Sequence, residues 1–218
     1  MPDIKLFFTP GACSLAPHIL LHETNLDFTP LLIKPNGLEV DFPSDYKALN
    51  PKMRVPVIVV DGEVVTEVPA ICTLISQLSP NNKIMGATPL ETVRIYEWLN
   101  YLSGTVHAAG FGLLFRPWRW TVSGDEEVHV GIKEKARENI RAAFELIEGR
   151  LTEESTFALG DELTAVDAFL YPLYRWAVVS AFDLVPYPKL GSLIRRLEGR
   201  ESVRIVLEKE GLERVTEL

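Results

Sequence analysis

The chain has 218 residues, 47% of them hydrophobic and 24% charged, which is enough to bury a large core in one or two domains without staples. Two cysteines exclude a disulfide framework and, with no paired Cys/His ligand set, a structural zinc site. A net charge of -8 argues against a nucleic-acid polyanion or an acidic membrane surface as partner.

In chain order, residues 4–8 (IKLFF) form a short apolar strand ended by the turn signal Thr9-Pro10-Gly11. Ser14 reads as the N-cap of a helix running to about Thr24, with Pro17 inside its first turn. Residues 28–33 predict a second strand, which Pro30 marks as an edge. Residues 36–50 read as loop with a short helical stretch near 43–48. Residues 55–60 and 63–66 predict a hairpin around Asp61-Gly62, and Pro69 opens a helix to about Leu78. The sum is a small mixed sheet with helices.

A stretch rich in Pro, Asn and Gly at 79–90 separates two regimes, and beyond it no convincing strand is legible. Residues 90–115 have helical spacing, with Gly104, Gly110 and Gly112 predicting a bend. Residues 126–152 predict an amphipathic helix, 163–181 a buried one, and 187–199 and 201–209 shorter ones. The apolar window around 163–182 contains Asp167, Pro172 and Arg175, so it reads as a core helix and not a membrane span. The first residues, MPDIKLFFTPG, lack the pattern of a secretory leader, and the expectation is a cytoplasmic protein without membrane or nucleic-acid partners.

Chemistry concentrates in three places. Cys13 and Ser14 arrive at the mouth of a helix, where amide groups and the helix dipole favour an anion and lower a thiol pKa. The thiol is either Cys13 itself or that of a ligand placed beside Ser14; alternatively Ser14 only caps and Cys13 only fills space. Val55-Pro56 precedes an apolar strand, and a cis bond there exposes the Val55 backbone for pairing, while a trans bond makes it an ordinary strand start. Glu67 stands before the Pro69 helix, where amides hold a carboxylate and Glu67 takes an ammonium group, or is simply a solvated acid. Asn100, Gly104, His107 and Phe111 share one helical face, and with Phe115, Trp118 and Trp120 they outline an aromatic pocket with one polar reader. His18 and His22 lack the glutamate a metalloprotease motif needs, so no metal is expected, and Cys72 reads as core.

These motifs, in this order, resemble the cytosolic glutathione S-transferases, and most closely the beta class. The resemblance is carried by Pro10-Gly11-Ala12-Cys13-Ser14, Asn50-Pro51-Lys52, Val55-Pro56, Thr66-Glu67, Glu97-Trp98-Leu99-Asn100-Tyr101, His107, Leu114-Phe115-Arg116-Pro117, Thr164-Ala165-Val166-Asp167-Ala168 and Arg175-Trp176. It implies a thioredoxin-like α/β domain with a mixed four-stranded sheet at 1–80, a linker at 81–89, and an all-α helical bundle at 90–218 that holds an electrophile pocket. It implies a homodimer that binds glutathione as co-substrate, needs no metal, and conjugates the thiolate to small hydrophobic electrophiles. Cys13, Ser14 and His107 are then catalytic. Lys34, Lys52, Arg54, Val55, Pro56, Glu67, Val68 and Asn100 bind glutathione, Asn100 across the dimer interface. Phe8, Phe111, Phe115, Trp118 and Trp176 line the electrophile pocket. Thr164 and Asp167 cap a helix and take no part in chemistry. The chain departs from the family pattern at Phe8, Met53, Arg54, Val68 and Ala108. Two other readings of the same residues are a Cys13-dependent thiol-disulfide reductase and a non-catalytic binding protein on this scaffold.

Overall fold

The computed structural model describes residues 2–37 and 39–217. The main sheet has the order β2-β1-β5-β6, formed by Ile4–Phe8 (β1), Thr29–Leu32 (β2), Val57–Val60 (β5) and Glu63–Thr66 (β6). β1 and β2 are parallel and the other two pairings antiparallel, so the sheet is mixed. Pro30 lies on β2, an edge, where its missing N–H interrupts no ladder. Alternation along β1 sends Ile4, Leu6 and Phe8 into the main core. Ile33, Tyr46 and Val57 form a smaller core on which Phe7 and Val59 pack.

The segment expected as loop contains a separate two-stranded hairpin, Lys34–Asn36 (β3) with Glu39–Asp41 (β4), followed by a short helix, Tyr46–Leu49 (α2). The hairpin is exposed and has no apolar alternation. Backbone pairing makes it, and hydropathy does not betray that.

Helix α1, Leu15–Glu23, is buried at every residue from Leu15 to Leu21. A helix apolar on all sides must be covered on all sides. Here the sheet and α3 (Val68–Leu78) cover one flank, while α7 (Ala165–Val179) and α9 (Glu201–Glu210) cover the other. One continuous apolar core therefore runs from the sheet into the helical part. Beyond 89 the described residues contain helices and a lone bridge between Phe157 and Gly160.

Helix α4, Pro89–Tyr101, starts at a reciprocal cap between Thr88 and Glu91. Where the glycines predict a bend, the chain instead continues as a π-helical stretch, Leu102–Gly112, ending in the single turn α5, Leu113–Phe115. Gly110 explains why glycine stands there: a Cβ would lie 2.8 Å from Ile140 Cγ1 on α6, Glu126–Arg150. Helix α7 contains Pro172 and is otherwise the buried helix expected. Its Asp167 carboxylate accepts from the Thr164 N–H at 2.8 Å, the Thr164 hydroxyl at 2.9 Å and the Ala158 N–H at 2.8 Å, a structural role. Helix α8, Pro188–Glu198, completes the bundle. None of the described helices is long and apolar enough to cross a membrane.

Candidate active site

The loop after β1 is fixed from far along the chain. Gly11 takes φ +70, a left-handed conformation that favours glycine. Its N–H donates to Glu210 Oε2 at 2.9 Å, and its carbonyl accepts from Trp176 Nε1 at 2.7 Å. Glu210 Oε1 lies 2.7 Å from Nδ1 of His18, both side chains being fully buried. α1, α7 and α9 thus share one hydrogen-bonded knot around the Pro10-Gly11 turn.

At this loop the expected Ser14 cap fails, and of the readings left open for Cys13 the low-pKa thiol is disfavoured. Ser14 has helical dihedrals, φ -61 and ψ -17, and makes no side-chain cap. A capping side chain needs the extended backbone of a true N-cap position. The Ser14 hydroxyl instead donates to the Thr9 carbonyl at 3.1 Å and accepts from the Thr9 N–H at 3.2 Å, fully buried. Cys13 is also buried, and its Sγ donates to the Val55 carbonyl at 3.5 Å. Burial pushes the Cys13 thiol up to about 12; the nearby amides of Cys13 and Ser14 and the Arg116 charge pull the other way and lose. The helix mouth therefore does not make Cys13 a low-pKa thiol.

A cavity of about 600 Å³ opens beside this loop. Gly11, Cys13 and Val55 form its sheet-side wall; His107, Phe111, Phe115 and Trp176 form its aromatic wall. The Val55-Pro56 bond is cis. His107, at the middle of the π-helical stretch, stacks on Trp176 with ring centroids 5.2 Å apart and planes at 30°. Burial lowers its pKa to about 4, helped by the Arg116 and Arg54 charges and opposed by Glu67. The ring is neutral at pH 7 and offers one donor and one acceptor. The widened turns of a π-helix recur at functional sites, and here they carry His107 and Ala108 into the cavity wall.

A second concavity, about 490 Å³, lies at the start of α3 and is lined by Glu67, Pro69, Thr73, Tyr96, Asn100 and Ser103. Glu67 has φ 73 and ψ 125 immediately before that helix. Its carboxylate pairs with Lys52, whose Nζ also donates to Thr66 Oγ1 at 2.6 Å. Asn100 and Glu67, 33 positions apart, are thus brought to one surface, though not into the aromatic cavity.

The remaining predicted residues separate. Phe8 is buried in the core against His18, with ring centroids 5.0 Å apart, and does not line the cavity, because the inward register of β1 carries it under α1. Trp118 is exposed and also outside the lining. The tight turn Pro117–Arg119 rotates it away and brings Arg119 and Trp120 inward. Val68 is buried at the head of α3, Pro56 is buried, and Lys34 is exposed on β3, outside both concavities. Arg54 does line the cavity. Sequence reasoning missed Glu39, Arg116 and Arg119 as cavity residues, and Glu210 as an anchor of the loop. The Arg116–Trp120 stretch, RPWRW, offered a signal in its alternation of cations and aromatics; Glu210 offered none. Among the described residues no three His, Cys, Asp or Glu side chains are placed to hold a metal.

A sheet of this order joined to a helical bundle, with Cys13 and the Val55 that precedes a cis proline facing one cavity, matches known proteins along nearly its whole length. The chain belongs to the glutathione S-transferase family, a family of transferases: its profiles for the N-terminal and C-terminal domains match residues 11–78 and 131–196. Glutathione S-transferase GstA of Escherichia coli O157:H7 is 32% identical over 96% of this chain and 100% of its own. A solved glutathione transferase homologue from Sulfitobacter, with bound glutathione, superposes with a TM-score of 0.86 at 25% identity, covering 98% of this chain and 100% of that one. A beta-class enzyme from Sphingomonas chungbukensis superposes at 0.81 with 31% identity, covering 96% and 100%.

Proposed function

We propose that the protein conjugates the thiolate of glutathione to small hydrophobic electrophiles, in detoxification or in a dedicated metabolic step. The observation that carries this is the single cavity shared by Cys13 and the Val55 backbone on one side and His107 with its aromatic wall on the other. In this reading, residues 1–80 bind glutathione, 81–89 link, and 90–218 supply the electrophile pocket. Val55 pairs with the tripeptide backbone. Glu67, the amide of Val68 and Asn100 of a second copy hold the γ-glutamyl end, so the working form is a homodimer, in the cytoplasm.

The nucleophile is the sulfur of glutathione and not Cys13. A thiol whose pKa is about 12 stays protonated at pH 7, and its one S–H, which meets the Val55 carbonyl at 3.5 Å, turns to a neighbouring thiolate when glutathione is bound. Neutral His107 can donate a second. Depressing a glutathione thiol by two units requires roughly 2.7 kcal/mol, within reach of two such bonds and the field of Arg54 and Arg116. The sulfur then bonds to the electrophilic carbon, and the leaving group departs with its electron pair.

The test is conjugation of 1-chloro-2,4-dinitrobenzene together with calorimetric titration by glutathione. Saturable turnover with millimolar or tighter glutathione binding supports the reading; glutathione binding without product for any aryl halide returns the protein to a binding role. The high pKa of Cys13 speaks against the reductase reading, which needs its thiolate. A stable glutathione adduct after treatment with oxidised glutathione, lost in Cys13→Ser, would restore it.

A further inference from the structure

The aromatic cavity carries a charge opposite to that of the chain. The protein as a whole carries -8. The cavity lining contains three arginines, Arg54, Arg116 and Arg119, and one carboxylate, Glu39. Arg54 comes from the segment before the cis proline, while Arg116 precedes and Arg119 ends the tight turn after α5, so the cluster is assembled from both halves of the chain. Burial lowers the pKa of both Arg116 and Arg119, and in each case the Arg54 charge lowers it further while Glu39 raises it. Like charges gathered beside an apolar wall raise the energy of the unliganded site, and an arriving anion relieves it.

Glu39 shows what fits there. Its carboxylate, from exposed β4, spans the two arginines of the helical half, with Oε2 2.7 Å from Arg119 Nη2 and Oε1 3.7 Å from Arg116 Nε. One oxygen is hydrogen-bonded to Arg119 and the other lies at ion-pair distance from Arg116, so a carboxylate meets both charges at once. Glu39 and Arg119 are partly exposed, so exchange of partners at Arg119 strands no buried charge, while Arg116 turns a buried Nε towards the carboxylate.

We infer that the electrophile this site accepts carries a carboxylate or similar anionic group, seated at Arg54, Arg116 and Arg119, with its apolar body against Phe115 and Trp176. The inference rests on the transferase reading and narrows it from hydrophobic electrophiles in general to acidic ones. In this reading glutathione places its sulfur at Cys13 in the same cavity, and Arg54, which the family resemblance assigns to glutathione, serves the second substrate instead.

The experiment compares 4-chloro-3,5-dinitrobenzoate with neutral 1-chloro-2,4-dinitrobenzene, each kcat/KM divided by its uncatalysed rate constant. In both, the glutathione sulfur bonds to the chlorinated carbon, chloride leaves with the bonding pair, and the thiol proton passes to solvent. The carboxylated chloride is expected to be preferred about tenfold or more, the worth of one charge-assisted pair. Arg119→Gln should lower that preference by about tenfold, through KM for the chloride. Glu39→Gln, which removes the internal competitor, should raise it. An equal response of both chlorides to Arg119→Gln, or no preference in the parent protein, overturns the inference and leaves the transferase reading standing. A rise in KM for glutathione alone also overturns it, by assigning the arginines to glutathione's own carboxylates. Turnover of neither chloride overturns both readings.

Discussion

The two ends of the cavity are built on opposite principles. At the Cys13 end, around Gly11, Cys13 and Ser14, the polar atoms that hold the loop are buried or half-buried and paired within the protein. Ser14 bonds Thr9, Gly11 bonds Glu210 and Trp176, and Cys13 bonds Val55. At the arginine end, Glu39, Arg54 and Arg119 are partly exposed. The contrast separates two tasks. Holding a thiolate needs fixed donors in a dry place, because donors that need not reorganise stabilise charge most strongly. Receiving a varied second substrate needs solvated groups that change partners at small cost.

The dry end can be broken most sharply through Cys13. Iodoacetamide alkylation followed by mass spectrometry should modify Cys13 in the folded protein about a thousandfold more slowly at pH 7 than in urea, since a pKa of about 12 against 9.0 removes three decades of thiolate. The rate should rise with pH, because the thiolate forms only as pH climbs towards that pKa. Fast alkylation at pH 7 would mean that the Cys13 end is wet.

Glu210→Ala should be the most destabilising change at the loop, by about 3 kcal/mol in urea unfolding, because it strands buried His18 and the Gly11 N–H together. Glu210→Gln, which keeps an acceptor for Gly11, should cost roughly half as much. Equal losses would show that shape and not hydrogen bonding holds the knot.

His107 sharpens the boundary between the two ends. Its folded pKa of about 4 lies below the ordinary 6.5, so the unfolded chain takes up the proton first as pH falls. The stability carried by the neutral ring is complete above pH 6.5 and is lost as pH falls through 4. The ring partly faces the cavity, so the loss stays under about 3 kcal/mol. His107→Asn should flatten that part of the stability profile between pH 4 and 6.5. The smallest effect belongs to Trp176→Phe, which keeps most of the ring and removes the bond to the Gly11 carbonyl, costing about 1 kcal/mol in thermal unfolding.

Local pattern made much of this molecule legible. A short apolar run ended by Thr9-Pro10-Gly11 gives β1, the Asp61-Gly62 turn gives the β5-β6 hairpin, and the long apolar period gives α7. The order of motifs from Pro10 to Trp176 made the family legible, because each motif needs its own backbone setting and all of them fit one fold. The hairpin of β3 and β4 stayed hidden because it buries almost nothing, and the π-helical stretch because glycine spacing alone does not distinguish a bend from a change of helical period.

What the chain's own sequence determined, then, is most of the elements, apart from the β3-β4 hairpin and the π-helical stretch, and the place of the chemistry. The state of that chemistry was decided in three dimensions. Ser14 reads as a cap until its dihedrals are known, Phe8 reads as a pocket wall until β1 carries it under α1, and Cys13 stays open between activated thiol, neighbour of a ligand thiol and filler until its burial is known. Protonation and exposure depend on which distant segments exclude water, and Glu210 reaches Gly11 from 199 positions away. The three arginines gather only because the turn before the cis proline and the turn after α5 meet across one cavity.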